Sequence, residues 1–404
     1  MKAQKITDYI YCIHADVKTT ELFEGIWPIP DGVSLNSYLV KGEKTAFIDL
    51  FRDWNGTAGQ MEEALASTGT GFSGIDFLIL NHLEPDHSGW LKVFRIKNPG
   101  AEIISTQKGI SLINSFYKIN TGVRAVKDGD TLDLGNGKIL TFFETPNVHW
   151  PETMVTWEAS SGTLFSCDAF GSYGALGDKV FDDQLDEKEH AFFEEESLRY
   201  YANIVSSFSG FVEKAAGKLS GLDIKCVAPS HGLVWRRDPK KIIERYIKYA
   251  SWAKGPAEKE IAVIWGSMYG NTKAGVDAVV RGIEKEGVPY TLHRVPDENV
   301  SYALTSAYKS SGLVIAMPTY EYAVFPPMAY VLDIFRRKHI FGKKALRIGS
   351  WGWVGGAKKE YDACLEAFKW NSLDSFEWSG FPTDAEFAVL EERGRELARL
   401  VKNS

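Results

Sequence analysis

The segment IDFLILNHLEPDH (75–87) constrains this chain more than any other. Its apolar part reads as a strand packed between other layers. That strand runs straight into a loop holding His82, Glu84, Asp86 and His87 within six positions. In an extended loop, alternation sends His82, Glu84 and Asp86 to one side, with His87 following on a turn. Two imidazoles and two carboxylates so close repel each other, or lie unsatisfied when buried, unless cations neutralise them. An ordinary polar loop is the competing reading, and three later strand ends weigh against it. His149 follows the strand KILTFFE within TPNVHWP (145–151), Asp168 ends LFSCD (164–168), and His231 ends VAPSHG (227–232). A hydrogen-bonded turn residue would explain any one of these. Seven ligand-type groups at the same kind of strand terminus point instead to a metal centre.

At 404 residues the chain exceeds one ordinary core and predicts two domains. Up to about residue 250 it reads as strands with short turns, including SLNSYLVKG, KTAFIDL, AEIISTQ, TMVTWEA and IKCVAPSH, with long helical stretches only at about 188–218 and 238–253. KGPAEKE (254–260) is polar and proline-bearing and marks the boundary. The expected domains are therefore 1–253 and 260–404. Beyond the boundary strands and helices alternate: IAVIWG (261–266), a helix from Asn271, YTLHRV, GLVIAMPTY, KALRIGSWGW, and a last helix at about 383–402. That rhythm predicts a doubly wound parallel sheet.

Composition narrows the classes. With 46 Lys plus Arg against 53 Asp plus Glu, the net charge of −7 suits neither nucleic acid nor an anionic membrane as a general partner. No apolar run reaches the ~20 residues of a transmembrane helix. The first residues lack the uninterrupted apolar stretch of a signal peptide, so a cytoplasmic location is expected. Four cysteines (12, 167, 226 and 364) include no CxxC pair, which argues against a structural zinc site, an iron–sulfur cluster or a disulfide scaffold.

In the second half, IWGSMYGNT (264–272) joins the first strand to the first helix. Ser267, Met268, Tyr269, Gly270, Asn271 and Thr272 look like the phosphate loop of flavodoxins. The hydroxyls of Ser267 and Thr272, with N–H groups at the helix start, would hold a terminal phosphate. No GxGxxG is present, which makes a dinucleotide the weaker expectation. Two further loops fall at carboxyl ends of strands, where doubly wound sheets bind ligands. One carries Pro318, Thr319, Tyr320 and Glu321; the other carries Ser350, Trp351, Gly352, Trp353, Gly355 and Gly356. Aromatics flank an isoalloxazine ring and glycines let backbone approach it, so the three loops together predict FMN.

The ligand order of the first half resembles that of the metallo-β-lactamase superfamily, HxHxDH, then His, Asp and His, over roughly residues 1–250. Glu84 stands where the hydrolases usually carry a second His, and a carboxylate there favours iron over zinc. A lactamase-like domain followed by a flavodoxin-like one resembles the flavodiiron proteins (A-type flavoproteins) along essentially the whole chain, including HWP (149–151) and PSHGLVW (229–235). The resemblance implies a metallo-β-lactamase-like αββα sandwich ahead of a flavodoxin-like doubly wound sheet. It assigns His82, Glu84 and His149 to a first iron and Asp86, His87 and His231 to a second, with Asp168 bridging; in some members water replaces the His at the position of His87. It further implies reduction of dioxygen to water, or of nitric oxide to nitrous oxide, through FMN and two non-heme irons. With no CxxC tail, electrons are expected from a separate donor, rubredoxin or a reduced deazaflavin coenzyme. The family also implies a head-to-tail homodimer, with pairing into tetramers left open.

Three features depart from the family's commoner pattern. Cys167 precedes the bridging Asp where many members have Asn, and Glu152 follows HWP where Asp is usual. Residues 20–27 (TELFEGIW), expected along the pocket approach, also differ. Two alternatives stand beside this reading. A dizinc hydrolase with an accessory flavodoxin domain is opposed by Glu84. A metal-free electron carrier or flavin sensor is opposed by the full set of seven ligand types.

Overall fold

The computed structural model describes residues 2–403 and divides after Ile247 into two compact units. In the first, a seven-stranded sheet is laid down in chain order: Gln4–Lys5, Ile10–Val17, Val33–Lys41, Thr45–Ile48, Phe77–Ile79, Glu102–Thr106 and Val123–Val126. Its first four strands are antiparallel neighbours and the rest are joined in parallel. A second sheet runs Cys226–Pro229, Thr163–Cys167, Met154–Glu158, Ile139–Glu144, Thr131–Asp133. The two sheets face each other. Tyr38 packs its ring 5.1 Å from that of Phe165, and its hydroxyl donates to Pro229 O at 2.6 Å. Thr156 Oγ1 donates to Asn81 Oδ1 at 2.7 Å across the same space. Helices cover the outer faces, Thr57–Ala66 and Gln107–Tyr117 on the first sheet and Ser209–Leu219 on the second, where Leu219 packs on Val155 and Leu164.

Burial on both sides explains why Val33–Lys41 is closed to solvent at every position but its last. Two groups of elements depart from the sequence expectation. The helices Thr57–Ala66 and Leu91–Lys97 lack side-chain caps, and the strand Ile10–Val17 hides its pattern behind His14 and Asp16. Distant backbone meets those polar residues: His14 Nε2 lies 3.0 Å from Gly177 O, with its Nδ1 left buried and unpartnered, and Asp16 accepts from Leu176 and Gly177 N–H groups. The long helical stretch expected near 188–218 is real but interrupted. Glu187–Tyr200 gives way to a π-turn at Tyr201–Val205 and a 3₁₀ turn at Ser206–Phe208 before Ser209–Leu219 resumes. The helix Pro239–Ser251 spans the division between units, and KGPAEKE follows its end.

The second unit is a parallel sheet ordered Tyr290–Arg294, Glu258–Trp265, Ser310–Ala316, Lys344–Trp351, with Asn371–Ser372 and Phe376–Ser379 both pairing with the last. This is the doubly wound sheet that the alternation predicts. The order reverses beside Glu258–Trp265, opening a crevice at the carboxyl ends there. Helices Asn271–Lys285 and Asp384–Lys402 close one face over a core that includes Val263, Val279, Leu346 and Leu397. They approach through reciprocal glycines. A Cβ on Gly282 would lie 2.0 Å from Glu391 O, and one on Gly394 2.1 Å from Val279 O. Gly217, also helical, has open space around it. Both Gly282→Ala and Gly217→Ala gain about 1 kcal/mol of helix propensity. Gly282→Ala is nonetheless expected to lower stability by a net ~1–2 kcal/mol because two helix backbones must part, and Gly217→Ala to be neutral or stabilising. Thermal melts of the two variants check this, and equal melting temperatures would contradict the close approach.

Candidate metal centre and cofactor cleft

All seven ligand-type residues gather at one rim of the first unit, because each follows a strand that ends there. Phe77–Ile79 leads to His82, Ile139–Glu144 to His149, and the parallel neighbours Thr163–Cys167 and Cys226–Pro229 deliver Asp168 beside His231. They form two groups, His82, Glu84, His149 and Asp168 in one, and Asp86, His87 and His231 in the other. The extended-loop expectation for residues 82–87 is corrected here. Pro85 opens a helical turn, Pro85–Ser88, which swings Asp86 away from His82 and Glu84 and into the second group.

Asp168 stands between the groups and divides its oxygens. Oδ2 lies 3.2 Å from His82 Nε2 and 3.3 Å from His149 Nε2, while Oδ1 lies 2.9 Å from His87 Nε2 and 3.4 Å from His231 Nε2. Glu84 Oε2 completes the first group, 3.3 Å from His82 and 3.1 Å from His149. Asp86 Oδ2 completes the second, 3.2 Å from His231 and 3.5 Å from His87. Both Asp86 oxygens, Asp168 Oδ2 and His231 Nε2 are buried without a hydrogen-bond partner. Buried acceptors of this kind are costly unless something cationic meets them. Four inward-facing Nε2 atoms and three carboxylates fit two metal ions sharing Asp168.

Protonation in the metal-free protein reflects the same crowding. Burial lowers His87 and His149, but the charge of Asp86 and Asp168 on the first, and hydrogen bonds to Asp168 and Glu84 on the second, outweigh it and raise each to about 9. His82 is likewise raised against burial by Glu152 and Glu84. Burial pushes Glu84 and Asp168 upward, and the surrounding histidines hold both well below the usual carboxylate range. Protons stand in for cations. His87 and His149 are therefore charged at pH 7, and a metal must displace those protons.

An outer layer orients the imidazoles. Glu152 Oε1 accepts from His82 Nδ1 at 2.7 Å and from the Leu83 N–H, and Ser34 O accepts from His231 Nδ1 at 2.7 Å. Both bonds turn Nε2 into the site, where a metal can take the place of a proton. The Tyr200 hydroxyl donates to Asp168 Oδ1 at 3.0 Å from the turn where its helix becomes a π-turn. The sequence marks Glu152 only as a departure from the family pattern, and Ser34 and Tyr200 carry no local signal. Cys167 sits at a left-handed φ of 50°, a conformation easier for Asn than for Cys. Of residues 20–27, Phe23 reaches the site, its ring edge-on at 5.5 Å from His231.

In the second unit the three expected loops converge on a cleft of about 300 Å³. Every residue named for them lines it except Gly270, Gly355 and Gly356. Thr272 Oγ1 meets Ser350 Oγ at 2.8 Å, tying the first loop to the third, and Ser267 Oγ accepts from Gly270 N–H at 3.0 Å. Gly270 precedes the helix at φ 95°, and a Cβ placed on it would meet nothing within 4 Å, so its constraint is backbone conformation rather than space. Gly356 answers to packing, since a Cβ there would lie 2.1 Å from Tyr322 O.

A lactamase-like unit with a double nest of ligand groups, followed by a flavodoxin-like unit with an open cleft, defines a class of two-part metallo-flavoproteins. The family model described as "ODP family beta lactamase" matches residues 33–232. The anaerobic nitric oxide reductase flavorubredoxin of Vibrio vulnificus is 34% identical over 91% of this chain and 74% of its own length. Among solved structures, rubredoxin oxygen:oxidoreductase from Desulfovibrio gigas is similar with a TM-score of 0.93 at 26% identity, covering 100% of this chain and 99% of that one. A flavo di-iron protein variant from Thermotoga maritima gives 0.88 at 30% identity, covering 99% and 98%. The chain belongs to the flavodiiron protein family of oxidoreductases. Among the described residues no helix is long and apolar enough to cross a membrane.

Two outcomes check the geometry. Glu152→Ala, which frees the His82 ring, is expected to weaken metal binding about 10–100-fold in chelator competition; an unchanged affinity would contradict the orienting role. Gly270→Val is expected to purify with little flavin because valine strains the left-handed turn, whereas full flavin content would refute that placement of the phosphate loop.

Proposed function

We propose that this chain reduces dioxygen, nitric oxide or both at a non-heme diiron centre in residues 1–253, with electrons relayed by FMN held in residues 260–404. The observation that carries this reading is the division of Asp168 between two ligand groups, a bridging arrangement that a mononuclear site would not need. In it, His82, Glu84 and His149 hold one iron, and Asp86, His87 and His231 hold the other. When bound, two ferrous ions and a reduced flavin supply the four electrons that dioxygen needs to become water, and adjacent metals suit a two-ended substrate or a pair of small ones. The protein's own part is to turn Nε2 of His82 and His231 into the site through Glu152 and Ser34, to hold a Tyr200 hydroxyl on the shared carboxylate, and to wall the site with Phe23.

The names of relatives point both ways on substrate: the Vibrio protein is called a nitric oxide reductase and the Desulfovibrio protein a rubredoxin oxygen:oxidoreductase. The latter supports rubredoxin as the donor over a reduced deazaflavin. A head-to-tail homodimer, in which one subunit's flavin serves its partner's irons, and a cytoplasmic location complete the reading. The test is anaerobic reduction of the purified protein followed by mixing with each gas while flavin reoxidation and products are recorded. Reoxidation in step with water or nitrous oxide formation is expected for at least one gas. A reduced protein inert to both, or a zinc-only preparation with thioesterase activity, would overturn it.

A further inference from the structure

Arg347 stands in the middle of KALRIGSW, the strand Lys344–Trp351, and is fully buried at 0% exposure. Across the adjacent strand its Nη1 comes within 2.6 Å of Glu377 Oε1. The two atoms are close but not aligned as a hydrogen bond, and all three guanidinium nitrogens, with Glu377 Oε1, are buried without a hydrogen-bond partner. Such a pair is a poor stabiliser. Desolvating two charges costs several kcal/mol, and apolar residues of similar volume often serve a core as well or better.

Its position supplies a different reason for it. A Cβ built on Gly349 would lie 3.0 Å from Arg347 Nη2 and 2.2 Å from Met317 O. The guanidinium therefore rests where the Ser350 loop and the Pro318 loop leave their strands. Glu377 extends the contact, with Oε2 3.5 Å from the place of a Cβ on Gly355. One ion pair thus underlies two of the three loops that line the cleft. Charges in so dry a setting are weakly screened, and their field reaches whatever the loops hold.

We propose that Arg347 and Glu377 form a positioning pair beneath the cleft, one that fixes the Pro318 and Ser350–Gly355 loops and sets the reduction potential of the bound flavin. The inference rests on the FMN reading of the cleft. Reduction makes the flavin more negative, so an uncompensated Arg347 favours the reduced form and an uncompensated Glu377 opposes it. The sign of the shift separates this role from simple damage to the loops.

The experiment uses the full-length holoprotein. Midpoint potentials, read from flavin absorbance, are measured together with FMN affinity and melting temperature for the wild type, Glu377→Gln, Arg347→Gln and Arg347→Lys. The expected result is a more positive potential in Glu377→Gln, a more negative one in Arg347→Gln, a value near wild type in Arg347→Lys, and weaker FMN binding in both charge-removing variants. Should Arg347→Gln fail to fold, Glu377→Gln decides, since that partner is at the sheet's edge and 19% exposed. Potentials that stay at the wild-type value, or move in one direction for both variants, overturn the proposal even if melting temperatures fall. A wild type that holds no FMN overturns the cleft's reading and this proposal together.

Discussion

A single buried carboxylate organises the first unit. Asp168 is 1% exposed and lies among four imidazoles, with one oxygen turned to each pair. An anion so placed is tolerable only with positive charge on both sides. In the metal-free protein protons on His87 and His149, one on each side, supply it; in the loaded protein two cations would. The rest of the rim follows from that requirement. Four strand ends must meet at one level, two sheets must face each other closely enough for Asn81 and Thr156 to bond across, and an outer layer must hold His82 and His231 by their far nitrogens.

The second unit solves a gentler problem. A flat cofactor with a phosphate tail needs a wide crevice, backbone N–H groups and little charge in the walls. The doubly wound order opens that crevice where the strand order reverses, and the Thr272–Ser350 hydroxyl contact joins loops far apart in the chain. Glu321 is the one ionisable carboxylate among the lining residues, and the ion pair of Arg347 with Glu377 is buried behind the loops rather than among them.

Much of this was legible in the chain because ligand residues interrupt apolar strands and stand out against them. His82, Glu84, His149, Asp168 and His231 could be read from strand ends alone, and the cleft loops from their glycines, hydroxyls and aromatics. Grouping was harder. Asp86 appeared to alternate with Glu84, yet Pro85 at the first position of a helical turn rotates it into the other cluster, a signal present in the Glu-Pro-Asp spelling. Partners fixed only by tertiary packing left no trace: Ser34 meets His231 from a strand 197 residues away, and Tyr200 reaches Asp168 from the end of a helix. Helices without caps carry no start signal, and the strand with His14 and Asp16 was hidden because both residues bond to backbone far along the chain.

The central claim is that two metal ions, both iron, share Asp168. Diffraction from crystals of the native protein on either side of the iron absorption edge tests it most directly. The account predicts two anomalous peaks per chain, one near each oxygen of Asp168, flanked respectively by His82 with His149 and by His87 with His231. One peak, or peaks that appear at the zinc edge and not at the iron edge, would contradict it.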